Sequence, residues 1–342
     1  MKLCKRFFEH AYINPRGDVR VCSWNNVVIG NLLTDTMEDI WNSDNRKKLL
    51  EGLLKGERFE CREAECPHCL NDELIEMSED EIRDAWDKSK YPVEFNCAYD
   101  YRCNHICPSC RHELYVPTDE YIKNMEIITD KLAEVLPKAK KIALSGSGDL
   151  FANPETLKML EELKPENPEF SIHIETNGTL LKKNWHRISH LAKYIKGFTV
   201  TVNSYDRRTY KHIQGADNLA ACLEGLELIK ELKTENPDIF FNITMVVQDS
   251  NFRQIPEFIE TSLNEYHADR VTLRPIFMWF QISRLDWWYK NVQNPAHIYH
   301  QEFLDIMKEP ICSDPRVRHW GTRDEITPVT LQDILQEQQK QS

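Results

Sequence analysis

Four cysteines fall within the fourteen residues CAYDYRCNHICPSC, at positions 97, 103, 107 and 110. Thiolates are soft ligands, and such a group suits zinc or an iron–sulfur centre. Cys103, Cys107 and Cys110 alone form C-x3-C-x2-C. That spacing lets three thiolates take three corners of a [4Fe–4S] cubane from one tight loop, leaving the fourth iron open for chemistry. The competing reading is a zinc site completed by Cys97 or His105, although zinc knuckles usually pair C-x2-C units. Nine of the eleven cysteines precede residue 111. Cys222 and Cys312 stand apart and read as small buried hydrophobes.

Loops of this kind need a scaffold, and 342 residues with 41% apolar content are enough for one large domain and a smaller one. A formal charge of −12 without a Lys/Arg stripe argues against a nucleic-acid partner. No apolar run reaches membrane-spanning length, and MKLCKRFFEH has no signal-peptide core, so a cytoplasmic protein without a membrane partner is expected. In a reducing compartment the cysteines are metal or redox ligands rather than disulfides.

Residues 1–71 hold five cysteines among turn residues such as NPRGD and read as a small metal-stapled domain. Residues 72–92 are acidic, with Leu74, Ile75, Ile82 and Trp86 at helical spacing, and predict one or two linker helices. From 93 to 276 the pattern changes. Apolar runs at 92–96, 141–146, 170–178, 198–204, 239–247 and 269–276 alternate with helical patterns at 119–136, 155–163, 183–194, 216–233 and 254–266. Such alternation predicts an α/β fold with a parallel sheet, its strands apolar enough for burial on both faces. Polar, Gly-rich residues follow the strands, where ligands of such folds sit: SGSGD (145–149), ETNG (175–178), NSYD (203–206) and QDSN (248–251). The remainder, 277–342, is an aromatic-rich extension (FMWF, LDWWYK) ending in a polar tail.

With C-x3-C-x2-C placed just after the first strand of six, the chain resembles the radical S-adenosylmethionine (SAM) superfamily over about 93–276. The resemblance implies a partial (βα)6 TIM-like barrel. It also implies a [4Fe–4S] cluster on Cys103, Cys107 and Cys110 whose open iron binds SAM, and reductive cleavage to a 5′-deoxyadenosyl radical that abstracts a substrate hydrogen. Carried over by position, Gly146, Ser147, Gly148 and Asp149 lie near the SAM amino group, with aspartate where the family has glutamate. Thr176 and Asn177 form the third-strand end. Thr201 and Asn203 face the ribose and carboxylate, and Asn251 and Leu273 stand where ribose and adenine are contacted. Cys97 is not required by the signature and is read as a neighbour of this pocket.

The N-terminal stretch resembles a SPASM or shorter Twitch domain: Cys4, then Gly17, Cys22, the GN…IWN segment (30–42) and C-x2-C at Cys66 and Cys69. That resemblance implies one auxiliary [4Fe–4S] cluster on Cys4, Cys22, Cys66 and Cys69, with Cys61 as the spare ligand; a zinc ribbon is the alternative. Here the module precedes the barrel, whereas in the family it follows. The implied activity is that of an oxidoreductase acting on a peptide or small-molecule substrate, with flavodoxin or ferredoxin as electron donor. The reading from another class is a zinc-stabilised interaction protein without SAM chemistry.

Overall fold

The computed structural model describes residues 1–57, 60–63, 66–70, 72–278, 282–319 and 329–334. Part of the FMWF run and most of the polar tail lie outside these. The chain forms two compact units. The first comprises Met1–Cys103, Tyr115–Glu175 and Asn184–Lys196, and the second Asn104–Leu114, Thr176–Lys183 and Gly197–Ser342.

Among the described residues twelve strands form: β1 (Lys2–Leu3), β2 (His10–Ile13), β3 (Asp18–Arg20), β4 (Gly30–Asn31), β5 (Ile75–Glu76), β6 (Glu94–Cys97), β7 (Lys141–Leu144), β8 (Ser171–Thr176), β9 (Ile195–Thr201), β10 (Phe240–Val247), β11 (Arg270–Pro275) and β12 (Val317–His319). In the first unit the order is β4-β3-β2-β6-β7-β8, in which β2, β6, β7 and β8 run parallel. In the second, β9, β10, β11 and β12 are parallel neighbours. Helices Asp119–Val135, Pro154–Glu162, Leu181–Ile188, Leu219–Glu235 and Ile255–Asn264 follow successive strands. This is the α/β class expected, with mainly parallel strands.

The N-terminal hairpin is part of the first sheet. Asn14 nucleates its turn: the Asn14 side-chain oxygen accepts from the backbone N–H groups of Arg16 (2.9 Å) and Asp18 (3.0 Å). Gly17 completes the turn at φ +78°, where a Cβ would stand 2.8 Å from Asn31 Oδ1. The chain then returns as β3, while β2 pairs in parallel register with β6, Tyr12 opposite Asn96 and Ile13 opposite Cys97.

Two departures from the sequence reading concern periodicity. Ile75, expected on a helix, lies in β5 and pairs with Leu3; a helix forms only over Glu79–Lys88, where Ser78 and Glu81 make a capping box. The strands are also not apolar on both sides. Ile13, Cys97, Leu144 and Ile174 form one buried row across β2, β6, β7 and β8, whereas the next row reads Tyr12, Asn96, Ala143 and His173. The second unit repeats this with Val200, Ile243, Val271 and Val317 beside Thr201, Thr244, Thr272 and Arg318. Side chains alternate between faces, so the apolar rows share the side occupied by the helices and the polar rows share the other. The helix Arg207–Gln214, absent from the expected list, is capped by Asp206, whose side chain accepts from Thr209 N.

One buried cation fastens the first unit's N-terminal helices. The Arg46 guanidinium lies between Trp41 and Trp86, 3.9 Å from each ring centroid, and donates to Ser89 Oγ at 2.7 Å. Trp41 Nε1 donates to Ser89 O at 3.0 Å, and the Ser89 hydroxyl donates to Phe8 O. Burial lowers the Arg46 pKa to about 10, leaving it charged at neutral pH. Arg46→Ala should lower the unfolding free energy by about 2 kcal/mol or more, read as a shift of the urea midpoint at unchanged slope. His10, buried with Nδ1 2.9 Å from Val21 O, has its pKa pushed down to about 3, chiefly by burial. The unfolded chain therefore binds a proton that the folded chain refuses. Stability should fall as pH drops below the ordinary imidazole value of about 6.5 toward 3, and His10→Asn should flatten that slope in pH-dependent urea titrations.

Candidate functional site

The strand β6 leaves the sheet at Cys97 and enters the segment that carries Cys103. Arg102 holds this arm in place. Its guanidinium is paired with Asp100, with Glu155 and with Asn153 Oδ1 (2.9 Å), and Tyr121 OH donates to Asp100 Oδ1 at 3.2 Å. Burial opposes the charge on Arg102, yet these carboxylates hold its pKa above the usual arginine range.

The SGSGD loop after β7 meets the same backbone. Asp149 N donates to Arg102 O at 2.9 Å, and a Cβ on Gly148 would lie 2.1 Å from that oxygen and 2.9 Å from Asp100 O. Glycine is therefore required for the approach rather than for a special φ. Ser147 Oγ donates to Ala98 O (3.2 Å), and Ser145 Oγ to Asn96 Oδ1 (2.6 Å). The Asp149 carboxylate accepts from Phe151 N at 3.0 Å and caps the turn Leu150–Ala152. Gly146, Gly148 and Asp149 line a small hollow together with Cys97 and Tyr99. Cys97 belongs to the apolar, helix-facing row, and burial pushes its thiol up to about 12. It is a protonated packing residue.

In the second unit, the segment beginning at Asn104 is gripped by two turns. Asn104 Nδ2 donates to Thr179 Oγ1 (2.8 Å), and Asn177 Nδ2 to Asn104 Oδ1 (2.9 Å); Thr176 Oγ1 accepts from Gly178 N. On the other side Cys107 Sγ donates to Gln214 Oε1 at 3.0 Å. Buried His105 lies 3.4 Å from that same oxygen through Nδ1, and its Nε2 accepts from Asn218 Nδ2 at 3.0 Å. A Cβ on Gly215, which has φ +62°, would stand 2.1 Å from Ile106 O. The sequence reading passed over Gln214 and Gly215. The signal was a glycine directly after an amphipathic helix, the place of a left-handed helix terminus.

The other expected ligand contacts divide by face. Thr201 stands in the polar row. Asn203, at φ +67°, accepts through Oδ1 from Val246 N at 2.7 Å. Asn251 is fully buried; Nδ2 donates to Asn203 O and Val246 O, both at 3.0 Å, and Oδ1 accepts from Gln248 N at 2.8 Å. Its amide is saturated by backbone and shapes the turn. Leu273 is buried in the apolar row beside Met245, so it presents backbone alone to the polar side.

The N-terminal cysteines gather around a second small hollow. Cys4, Cys22, Cys61, Cys66 and Cys69 all line it, with Arg6, Trp24 and His68. Among the described residues no three His, Cys, Asp or Glu side chains are drawn to metal-ligand geometry. Five cysteines nevertheless line this hollow, a donor set that fits an iron–sulfur cluster or zinc. Cys61 Sγ accepts from Asn25 Nδ2 at 3.4 Å, and burial pushes this thiol up to about 11; burial also raises Cys4. Cys22 follows β3, which runs antiparallel to β2, and Cys4 precedes β2. The hollow therefore adjoins the N-terminal ends of β2 and β6, whereas Cys103 and SGSGD follow the C-terminal ends of β6 and β7. Cys222 and Cys312 are buried, as expected of packing residues.

Residues 101–261 match the Radical SAM superfamily, and residues 4–70 match SPASM, an iron-sulfur cluster-binding domain. The chain is 27% identical to the FeMo cofactor biosynthesis protein NifB of Methanocaldococcus infernus over 180 residues, covering 46% of this chain and 58% of that protein. It is 30% identical to the protein of the same name from Methanocaldococcus jannaschii over 122 residues, covering 33% and 40%. The chain thus spans about half the length of the curated relatives it matches. A solved structure of methylornithine synthase (PylB) aligns over 86% of this chain and 96% of that one, at 11% identity and a TM-score of 0.37. Among the described residues no helix is long and apolar enough to cross a membrane.

Gly148→Ala should force the SGSGD loop off Arg102 and cost about 1–3 kcal/mol, seen as a lower thermal midpoint. Cys97→Ala should leave iron content after anaerobic reconstitution unchanged; a loss of iron would make Cys97 a ligand.

Proposed function

We propose that this chain, which belongs to the radical SAM superfamily and carries a SPASM iron–sulfur domain on its N-terminal side, reductively cleaves S-adenosylmethionine and abstracts a hydrogen atom from a peptide or small-molecule substrate. Its cofactors are SAM with a [4Fe–4S] cluster and an auxiliary iron–sulfur cluster. Together, SAM and the first cluster supply a 5′-deoxyadenosyl radical when bound, and the protein's part is to hold them and exclude water.

The observation that carries this reading is the convergence on one strand edge. The arm of Cys103 and the SGSGD loop leave neighbouring parallel strands, β6 and β7, at their C-terminal ends and are joined there by the Asp149–Arg102 backbone hydrogen bond. Cys103, Cys107 and Cys110 are assigned as the three ligands. Gly146, Ser147 and Gly148 are assigned to the loop beside SAM, and Asp149 fixes the turn of that loop. Thr176, Asn177, Thr201 and Asn203 shape the remaining strand ends.

The auxiliary site is assigned to Cys4, Cys22, Cys66 and Cys69, with Cys61 as the fifth sulfur of the same hollow. It adjoins the ends of the strands opposite to the end at which β6 leads toward Cys103. Such an arrangement suits a centre that receives the electron left on the substrate, hence a two-electron oxidation such as dehydrogenation or crosslinking. A small redox protein, flavodoxin or ferredoxin, would supply the reducing electron.

Anaerobic reconstitution followed by iron counting and a SAM-cleavage assay tests the assignment. The wild type should yield 5′-deoxyadenosine under reducing conditions. The triple variant Cys103→Ala/Cys107→Ala/Cys110→Ala should yield none, and Cys66→Ala should lose about four iron atoms per chain while retaining part of the cleavage. Zinc in place of iron, with no cleavage by the wild type, would return the chain to a zinc-stabilised interaction protein.

A further inference from the structure

A guanidinium without a carboxylate partner faces the N-terminal cysteines. Arg6 opens the short helix Arg6–Glu9, just after Cys4, and stands half-buried at the wall of the five-cysteine hollow. Its guanidinium donates to Cys22 Sγ at 3.7 Å, and its backbone N–H hydrogen-bonds to Cys4. Among the described residues Arg6 makes no ion pair, and no aspartate or glutamate lines the hollow. The chain carries 55 acidic against 43 basic residues, so carboxylate partners for an arginine are plentiful; this one is turned to sulfur instead.

Other donors point the same way. Trp24 N donates to Cys22 Sγ at 3.5 Å, which gives that sulfur two donors, and Asn25 Nδ2 donates to Cys61 Sγ at 3.4 Å. A neutral thiol is a weak acceptor and gains little from such neighbours, whereas a thiolate gains much more, because hydrogen bonds to ionised acceptors are the strong ones. Metal ligation is the chemistry that makes these sulfurs anionic. For an iron–sulfur centre the consequence reaches beyond binding. Reduction adds negative charge to a group that its thiolates already make negative, so N–H donors to the sulfurs and a nearby cation favour the reduced form and raise the potential. Cys22 is the sulfur at which both coincide.

We propose that Arg6 is the redox-tuning residue of the auxiliary centre: acting through Cys22, it holds that centre at a less negative potential and so equips it to take up an electron. The inference rests on the assignment of an iron–sulfur cluster to this hollow. In the step it serves, the substrate radical loses one electron to the centre and one proton to the medium, which completes the two-electron oxidation begun by hydrogen abstraction.

The test is a redox titration, monitored by electron paramagnetic resonance, of the anaerobically reconstituted full-length chain carrying Cys103→Ala, Cys107→Ala and Cys110→Ala, so that only the auxiliary centre is read. Iron and zinc are counted on every sample. Arg6→Met should lower the midpoint by at least about 59 mV, a tenfold change for one electron. Arg6→Gln, which keeps donors without the charge, and Arg6→Lys, which keeps the charge without the planar fork, should fall between the parent and Arg6→Met. The control Arg83→Met removes an exposed guanidinium paired with Glu79 and should change nothing. Where Arg6→Met loses iron, the glutamine and lysine variants carry the comparison. Unchanged midpoints at full iron content, or an equal shift in Arg83→Met, overturn the tuning role and leave the auxiliary cluster standing. Zinc in place of iron in the parent chain overturns the cluster assignment, and the tuning role with it.

Discussion

The parallel pairing of β2 with β6 is the contact on which the organisation of the first unit depends. It turns a cysteine-rich hairpin at the N-terminal end of the chain into a lateral extension of the sheet that supports the cysteine loop. Two consequences follow from strand direction alone. The turn around Gly17 lies toward the C-terminal ends of the parallel strands, beside Ala98, whose N–H donates to Ile13 O. The five-cysteine hollow lies toward the N-terminal ends, because β3 carries the chain back before Cys22. Sequence order places the auxiliary module before the barrel, but hydrogen bonding makes it continuous with the first strand.

Close backbone approach is the second recurring device. Gly148 against Arg102 O and Gly215 against Ile106 O admit no side chain; the first contact lies just before Cys103 and the second just before Cys107. Backbone contacts this close leave a loop little positional freedom. The polar residues around it then sort into two kinds. Asn251 and Asp149 spend their side chains on backbone partners and set loop shape, whereas Thr201 stands on the polar row. Residue type alone does not separate these, because asparagine and aspartate both cap turns and bind ligands.

The strands obey a period of two more strictly than their composition suggests. Threonine and asparagine are tolerated in apolar runs such as FTVTV and FFNITMVV, and averaged over a window those runs look apolar throughout. Register resolves them into a helix-facing row and a polar row. The same rule makes Cys97, read from the sequence as a neighbour of the pocket, a packing residue, since it stands in line with Ile13, Leu144 and Ile174. It likewise turns Leu273 toward the helices.

Residue spacing alone made most of the elements legible and pointed to iron–sulfur chemistry. The six strand runs, five of the helices, the C-x3-C-x2-C loop after the first of those strands and the NPRGD turn were legible because each depends on local spacing and local turn propensity. Ile75, the helix over Arg207–Gln214 and the roles of Gln214 and Gly215 were not, because β1 pairing across more than seventy residues and a carbonyl more than a hundred residues away decide them. Which cysteines share a hollow, which end of the strands that hollow adjoins and which face each strand residue takes were settled only by tertiary structure. Those facts follow from strand register and direction, quantities that no short window of sequence contains.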